Sequence, residues 1–170
     1  MKNIILIGYM GSGKSTIGEK TAKSLGVEFL DTDVLIEAQE SMTISELFAQ
    51  KGEAYFRQKE TETIQKLKKE SKSIVLATGG GLPMKEENQA LLKDFGIVVY
   101  LKASVDTLVE RLKGDTTRPL LKEGDLRKKI ETMLEIRNPV YENVADVVLE
   151  TDTKSMNEVI CCLEKLCRQE

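Results

Sequence analysis

Gly8-Tyr9-Met10-Gly11-Ser12-Gly13-Lys14-Ser15 follows the apolar run Ile4-Ile5-Leu6-Ile7 and leads into an amphipathic stretch. The octet fits G-x-x-x-x-G-K-[ST], and a strand on one side with a helix on the other is the setting that pattern needs. Glycines let the backbone wrap closely around phosphates and turn several N–H groups inward. The helix that follows adds the positive end of its dipole. Lys14 then reaches the β and γ phosphates, and the Ser15 hydroxyl is placed to ligate Mg²⁺. Gly11, Ser12, Gly13, Lys14 and Ser15 therefore point to a bound nucleoside triphosphate.

The same alternation continues along the chain. Ile74–Ala77, Ile97–Leu101 and Val147–Leu149 are short, rich in β-branched residues and apolar at successive positions. Such runs suit strands covered on both faces. Phe29-Leu30, just before Asp31, is a fifth and weaker strand candidate. Between the runs lie helical patterns, among them Val105, Leu108, Val109 and Leu112 on one face. Strand and helix in alternation predict a doubly wound α/β sheet. Ligands bind such sheets at the carboxyl ends of the strands, so the residues following each strand carry most of the functional information.

A chain of 170 residues suits one domain. A net charge of −3 argues against nucleic-acid or membrane-surface binding by bulk electrostatics. The absence of histidine removes histidine-based triads and metal sites. Cys161, Cys162 and Cys167 lack metal or redox spacing and read as inert thiols on a terminal amphipathic helix. No apolar run is long enough to span a bilayer, and the N-terminal one is too short for a signal peptide. A cytoplasmic protein is expected.

Asp31-Thr32-Asp33 follows the second strand candidate, which aims two carboxylates at the mouth of the cleft. A phosphoryl transferase needs one carboxylate near its metal and one near the acceptor hydroxyl. Helix capping by Thr32 or Asp33 ahead of Val34, Leu35 and Ile36 explains the residues equally well. A helical pattern from Lys51 to Glu70 has Phe56, Ile64 and Leu67 on its apolar side. Glu60 lies among them, where a carboxylate needs a partner, and Arg57 one turn earlier can supply it. In a second pattern, from Asp125 to Tyr141, the stripe of Leu126, Ile130 and Met133 continues to Arg137. Either arginine can snorkel at the edge of its helix, or both can face one cleft and grip an anion. Thr78-Gly79-Gly80-Gly81 follows another strand and is either a plain turn or a surface bare enough for a ligand to approach. The irregular segment 113–125, with Arg118-Pro119-Leu120-Leu121, is a surface connection or a mobile lid. Asp94-Phe95-Gly96 imitates a kinase metal motif, but it lies between a helix and a strand and reads as a helix-ending turn.

In this order, these segments resemble the shikimate kinase family over essentially the whole chain. The segments that carry the resemblance are the Gly8–Thr16 loop, Asp31-Thr32-Asp33, Phe56-Arg57 with Glu60, Gly79–Gly81, Arg118–Leu121, and Arg137 with Tyr141. The resemblance implies a three-layer α/β/α fold of the P-loop, nucleoside-monophosphate-kinase-like type. It has a five-stranded parallel sheet, a substrate-binding helical region at about 33–60 and a lid at about 113–125. It also implies transfer of a phosphoryl group from ATP to shikimate, in aromatic amino-acid biosynthesis, by a monomer. Lys14, Asp33 and Arg118 would be catalytic, with Asp33 as base. Thr16, Arg111 and Arg118 would join the phosphate loop in binding ATP, with Thr151–Ser155 on the other side of the adenine. Ser15 and Asp31 would hold Mg²⁺. Arg57 and Arg137 would clamp the shikimate carboxylate, Glu60 would orient Arg57, and the backbone of Gly79, Gly80 and Gly81 would meet the ring hydroxyls.

The nearest rival is another small-molecule P-loop kinase, acting on gluconate or a nucleoside monophosphate. Paired arginines and three glycines favour a compact carboxylated polyol. A nucleotide-dependent switch is a rival from another class; it needs no acceptor-side carboxylates, and the chain has no N-K-x-D motif to read guanine.

Overall fold

The structure, a computed structural model, describes residues 1–70, 72–114 and 125–168. Among them are strands β1 (Ile4–Ile7), β2 (Glu28–Asp31), β3 (Ile74–Ala77), β4 (Ile97–Lys102) and β5 (Val147–Glu150). The helices are α1 (Lys14–Leu25), α2 (Thr32–Glu40), α3 (Ile44–Leu67), α4 (Glu86–Phe95), α5 (Val105–Leu112), α6 (Leu126–Val144) and α7 (Met156–Arg168). The strands form one sheet in the order β2-β3-β1-β4-β5, and every neighbouring pair is parallel.

Successive strand residues point to opposite faces, and the chain fills both. Ile4 and Leu6 pack with Ile17 and Ala22 of α1 and with Val159 and Leu163 of α7. Ile5 and Ile7 pack on the other side with Ile64 of α3, Leu92 of α4 and Tyr141 of α6. All four β1 side chains are fully buried, and each contributes about 1.5–3 kcal/mol relative to an exposed position. Two-sided burial accounts for the apolar runs of β1, β3 and β4 and gives the three layers expected; β5, expected to be covered on both faces, is instead an edge strand with Val148 exposed. β2 is the other edge strand, and only Phe29 and Leu30 of its four residues are apolar, so its sequence signal is weak.

Two helices differ from their expected limits. α3 begins at Ile44 rather than Lys51, and it ends at Leu67 rather than Glu70. Thr43 starts it with a capping box: its hydroxyl accepts from the Glu46 N–H at 3.2 Å, and Glu46 Oε2 accepts from the Thr43 N–H at 2.8 Å. Gly52, at φ 82° and ψ 168°, then kinks the helix. α6 runs on to Val144, with Pro139 inside it. No helix among the described residues is long and apolar enough to cross a membrane.

Candidate active site

The parallel sheet brings the carboxyl ends of β1, β3 and β2 together. Asp31 pairs with Ala77 across β2 and β3, and Leu6 pairs with Ala77 across β1 and β3. The phosphate loop, the three glycines and the Asp31-Thr32-Asp33 segment thus emerge side by side.

The loop after β1 has Gly8 at φ 148°, Gly11 at 80° and Gly13 at 95°, values that favour glycine. Gly13 caps α1 with no side-chain hydrogen bond, so the first N–H groups of that helix face the loop. Lys14 is buried, and its Nζ donates to the carbonyls of Gly8 (2.8 Å) and Tyr9 (2.9 Å), which centres the ammonium in the loop. Ser15 Oγ donates to Asp31 Oδ2 at 2.8 Å. The other oxygen of Asp31 accepts from the Asp33 N–H at 2.9 Å and so caps α2. The capping alternative read from the sequence gave that role to Thr32 or Asp33. Asp31 takes that role because its extended backbone aims the carboxylate at the first turn. Thr32, fully buried, accepts instead from the Gly79 N–H at 2.9 Å and ties α2 to the glycine segment.

Two cavities open at this end of the sheet. One, of about 540 Å³, is bounded by the phosphate loop with Thr16, Arg111, Thr151 and Lys154. Arg111 donates from Nη1 to the Gly11 carbonyl at 3.0 Å. Asp152 accepts from the Ser104 N–H (2.7 Å) and from Thr107 Oγ1 (2.5 Å), which fastens the Thr151–Ser155 turn to the start of α5. The second cavity, of about 600 Å³, holds Arg57, Glu60, Arg137 and Gly81, with Phe48 and Phe56 as an apolar wall. Met10, Asp31, Asp33, Gly79 and Gly80 line both.

Both arginines therefore face the cavity beside Asp33, as the clamp reading requires. Arg57 Nη1 donates to Glu60 Oε2 at 2.9 Å, and Nη2 reaches Glu53 Oε1 at 3.2 Å. Burial works to lower the Arg57 pKa, but these two carboxylates outweigh it and raise it. Glu53 was missed in the sequence, although its i,i+4 spacing to Arg57 was there to read. Glu60 is fully buried. Burial pushes its carboxyl up to about 7, against the pull of Arg57. Glu60 Oε1 and Arg137 Nη1 are buried without a hydrogen-bond partner among the described residues, and unsatisfied groups of this kind in a cavity call for a polar ligand. The Arg137 guanidinium lies 5.7 Å from the ring centre of Tyr9.

The triple glycine has a steric reason. None of the three has positive φ. A Cβ on Gly79 would lie 2.7 Å from Asp33 Oδ1 and 2.9 Å from Glu60 Oε1. On Gly80 it would lie 3.2 Å from Arg137 Nη1, and on Gly81 2.5 Å from both terminal nitrogens of Arg57. Each glycine leaves room for a different charged side chain.

Arg118 and most of the 113–125 segment lie outside the described residues. Asp94 pairs with Lys68 on the surface, and Gly96 ends α4, so that motif is the turn expected of it. Cys161, Cys162 and Cys167 are free thiols, and burial raises the pKa of Cys167.

The family model described as "Shikimate kinase" matches residues 10–167. A shikimate kinase of Francisella tularensis subsp. holarctica is 43% identical over 159 residues, covering 94% of this chain and 90% of the relative. One of Actinobacillus pleuropneumoniae is 44% identical over 154 residues, covering 91% and 88%. Among solved structures, shikimate kinase from Acinetobacter baumannii in complex with shikimate superposes with a TM-score of 0.92 at 39% identity, covering 98% of this chain and 93% of that one.

Proposed function

The chain belongs to the shikimate kinase family, and we propose that it moves the γ-phosphoryl group of ATP to the 3-hydroxyl of shikimate with the residues described above. One observation carries the assignment of roles. Two cavities with different equipment, a phosphate loop in one and two arginines in the other, share a wall that contains Asp33. A donor in the first and an acceptor in the second would meet at that carboxylate.

In this reading Arg57 and Arg137 grip the shikimate carboxylate, since a planar guanidinium matches it. Glu60 and Glu53 hold Arg57 in place. Asp33 accepts the hydroxyl proton as the oxygen attacks the γ phosphorus and the bond to the β-phosphate oxygen breaks. Lys14 and the N–H groups of the loop and α1 offset the negative charge on the phosphates throughout. Ser15 Oγ and Asp31 Oδ2 are hard oxygen donors 2.8 Å apart; this donor set fits Mg²⁺, which binds one or two protein oxygens and keeps phosphates and waters as its other ligands. Bound there, the ion would neutralise the β and γ oxygens. Arg111 and the Thr151–Ser155 turn flank the adenine, Arg118 closes on the phosphates from the lid, and the enzyme works as a monomer.

An ADP-release assay with shikimate, gluconate and nucleoside monophosphates as acceptors tests the assignment. Saturable release is expected with shikimate alone. Equal turnover with gluconate would replace shikimate as the acceptor.

A further inference from the structure

Tyr141 lies on α6 one turn beyond Arg137 and is fully buried. Its hydroxyl donates to the Gly80 carbonyl at 2.5 Å. Its ring meets that of Tyr100 at 5.0 Å between centres, while the Tyr100 hydroxyl turns elsewhere, to Asn138 Oδ1 at 2.6 Å. The positive charge of Arg137 opposes the rise of the Tyr141 phenol pKa, and Arg137 Nη1 would lie 3.2 Å from a Cβ on Gly80. The phenol oxygen therefore ties α6 to the backbone of the glycine segment, next to Arg137.

The bond to Gly80 also orients a peptide group. No peptide here is cis, so the Gly81 N–H points opposite to the Gly80 carbonyl. With that carbonyl turned to Tyr141 on α6, the N–H is directed away from the helix, on the side of Gly81, which lines the second cavity. Among the described residues it has no protein acceptor.

We propose that Tyr141 is a positioning residue for the acceptor: it aims the Gly80–Gly81 peptide into the second cavity and holds the turn of α6 that carries Arg137 beside it. The proposal rests on the reading of that cavity as the shikimate site. Burial raises the phenol pKa to about 12, with Arg137 opposing, so the hydroxyl stays a donor throughout the neutral range.

Tyr141→Phe keeps the ring and its stack on Tyr100 but removes the oxygen. The expected result is a KM for shikimate raised about tenfold, the size of one lost hydrogen bond of about 1.4 kcal/mol, with kcat and the KM for ATP within about twofold of wild type. Shikimate titrated without nucleotide should show the same loss of affinity. Tyr100→Phe is the control, because it removes the neighbouring phenol of the same ring pair, which among the described residues bonds only to Asn138. It should lower the melting temperature as Tyr141→Phe does and leave the KM for shikimate unchanged. An unchanged KM in Tyr141→Phe would overturn the proposal, as would an equal rise in both variants, which would make the effect one of helix packing. A wild-type protein that fails to phosphorylate shikimate would overturn the acceptor assignment itself, and this inference with it.

Discussion

Glu60 combines two opposed demands in a single side chain. It must be ionised to hold Arg57 at 2.9 Å, yet it is fully buried, and burial pushes its pKa from 4.5 to about 7. A folded-state pKa above the unfolded one means that the folded chain binds the proton more tightly. The stability this gives is fully present below pH 4.5 and is lost as the pH rises through about 7. Glu60→Gln cannot titrate, so chemical denaturation from pH 4.5 to 8 should show the variant gaining on wild type across that window. A constant difference between the two would mean that Glu60 titrates at its ordinary value. Gly81 is the complementary case, a residue that acts through the side chain it lacks. A Cβ there would fall 2.5 Å from the terminal nitrogens of Arg57. Those nitrogens end a flexible side chain, so the guanidinium can move aside with little effect on the fold. Gly81→Ala should therefore raise the KM for shikimate by about tenfold or more, the scale expected when one charged contact is lost. Its melting temperature and KM for ATP should stay near wild type. A large drop in melting temperature would show that the glycine serves the fold.

At the scale of elements, the sequence was most legible where burial is two-sided. β1 and β3 are covered on both faces and appear as the apolar runs predicted. β2 was faint because only Phe29 and Leu30 of its four residues are apolar and none is fully buried; β5, the other edge strand, has three apolar residues in a row and was read although Val148 is exposed. The start of α3 was missed although Thr43-x-x-Glu46 spells out its capping box, because the reading began at the apolar stripe further on. The charged residues on α3 and α6 stood out in the sequence, but two helices far apart in sequence share a cavity only through the sheet order, which periodicity does not encode. The kink in α3 was illegible for another reason: an isolated glycine within a helical pattern looks like a mere weakness. At φ 82° and ψ 168°, Gly52 occupies a region essentially reserved for glycine, where another residue costs about 1–3 kcal/mol. The Glu40 carboxylate at the end of α2 spans the kink, accepting from Lys51 Nζ before it and Tyr55 Oη after it, each at 2.9 Å. A Cβ on Gly52 would meet nothing within 4 Å, so Gly52→Ala isolates the backbone effect. The variant should unfold about 1–3 kcal/mol more easily in a denaturant titration. It should also bind shikimate more weakly, since the segment before the kink carries Phe48 in the wall of the second cavity. Unchanged stability would mean that the kink relaxes at no cost.

In the whole molecule the decisive feature is that the two cavities are not independent. Asp31 belongs to both: one oxygen receives the hydroxyl of Ser15 at the start of α1, and the other caps α2. Gly79 is held by Thr32 of α2, and no room is left for a Cβ between it and the carboxylates of Asp33 and Glu60, so the wall between the cavities is tied by hydrogen bonds and close packing. A ligand that orders this wall from one side spares a ligand on the other side part of the same ordering cost. Nucleotide and shikimate should therefore bind with positive cooperativity, and linkage requires the factor to be the same in both directions. Calorimetric titration of shikimate with and without saturating ADP and Mg²⁺ gives one ratio of dissociation constants; titration of ADP with and without shikimate gives the other. A common factor of about five or more is expected, the lower end of ordinary coupling energies. Thr32→Val should bring it toward one, because it breaks the tie from α2 to Gly79 while keeping the shape of a side chain that lines neither cavity. A coupling factor of one in the wild type would mean that each cavity keeps its own rigid wall, and that the shared residues transmit nothing between donor and acceptor.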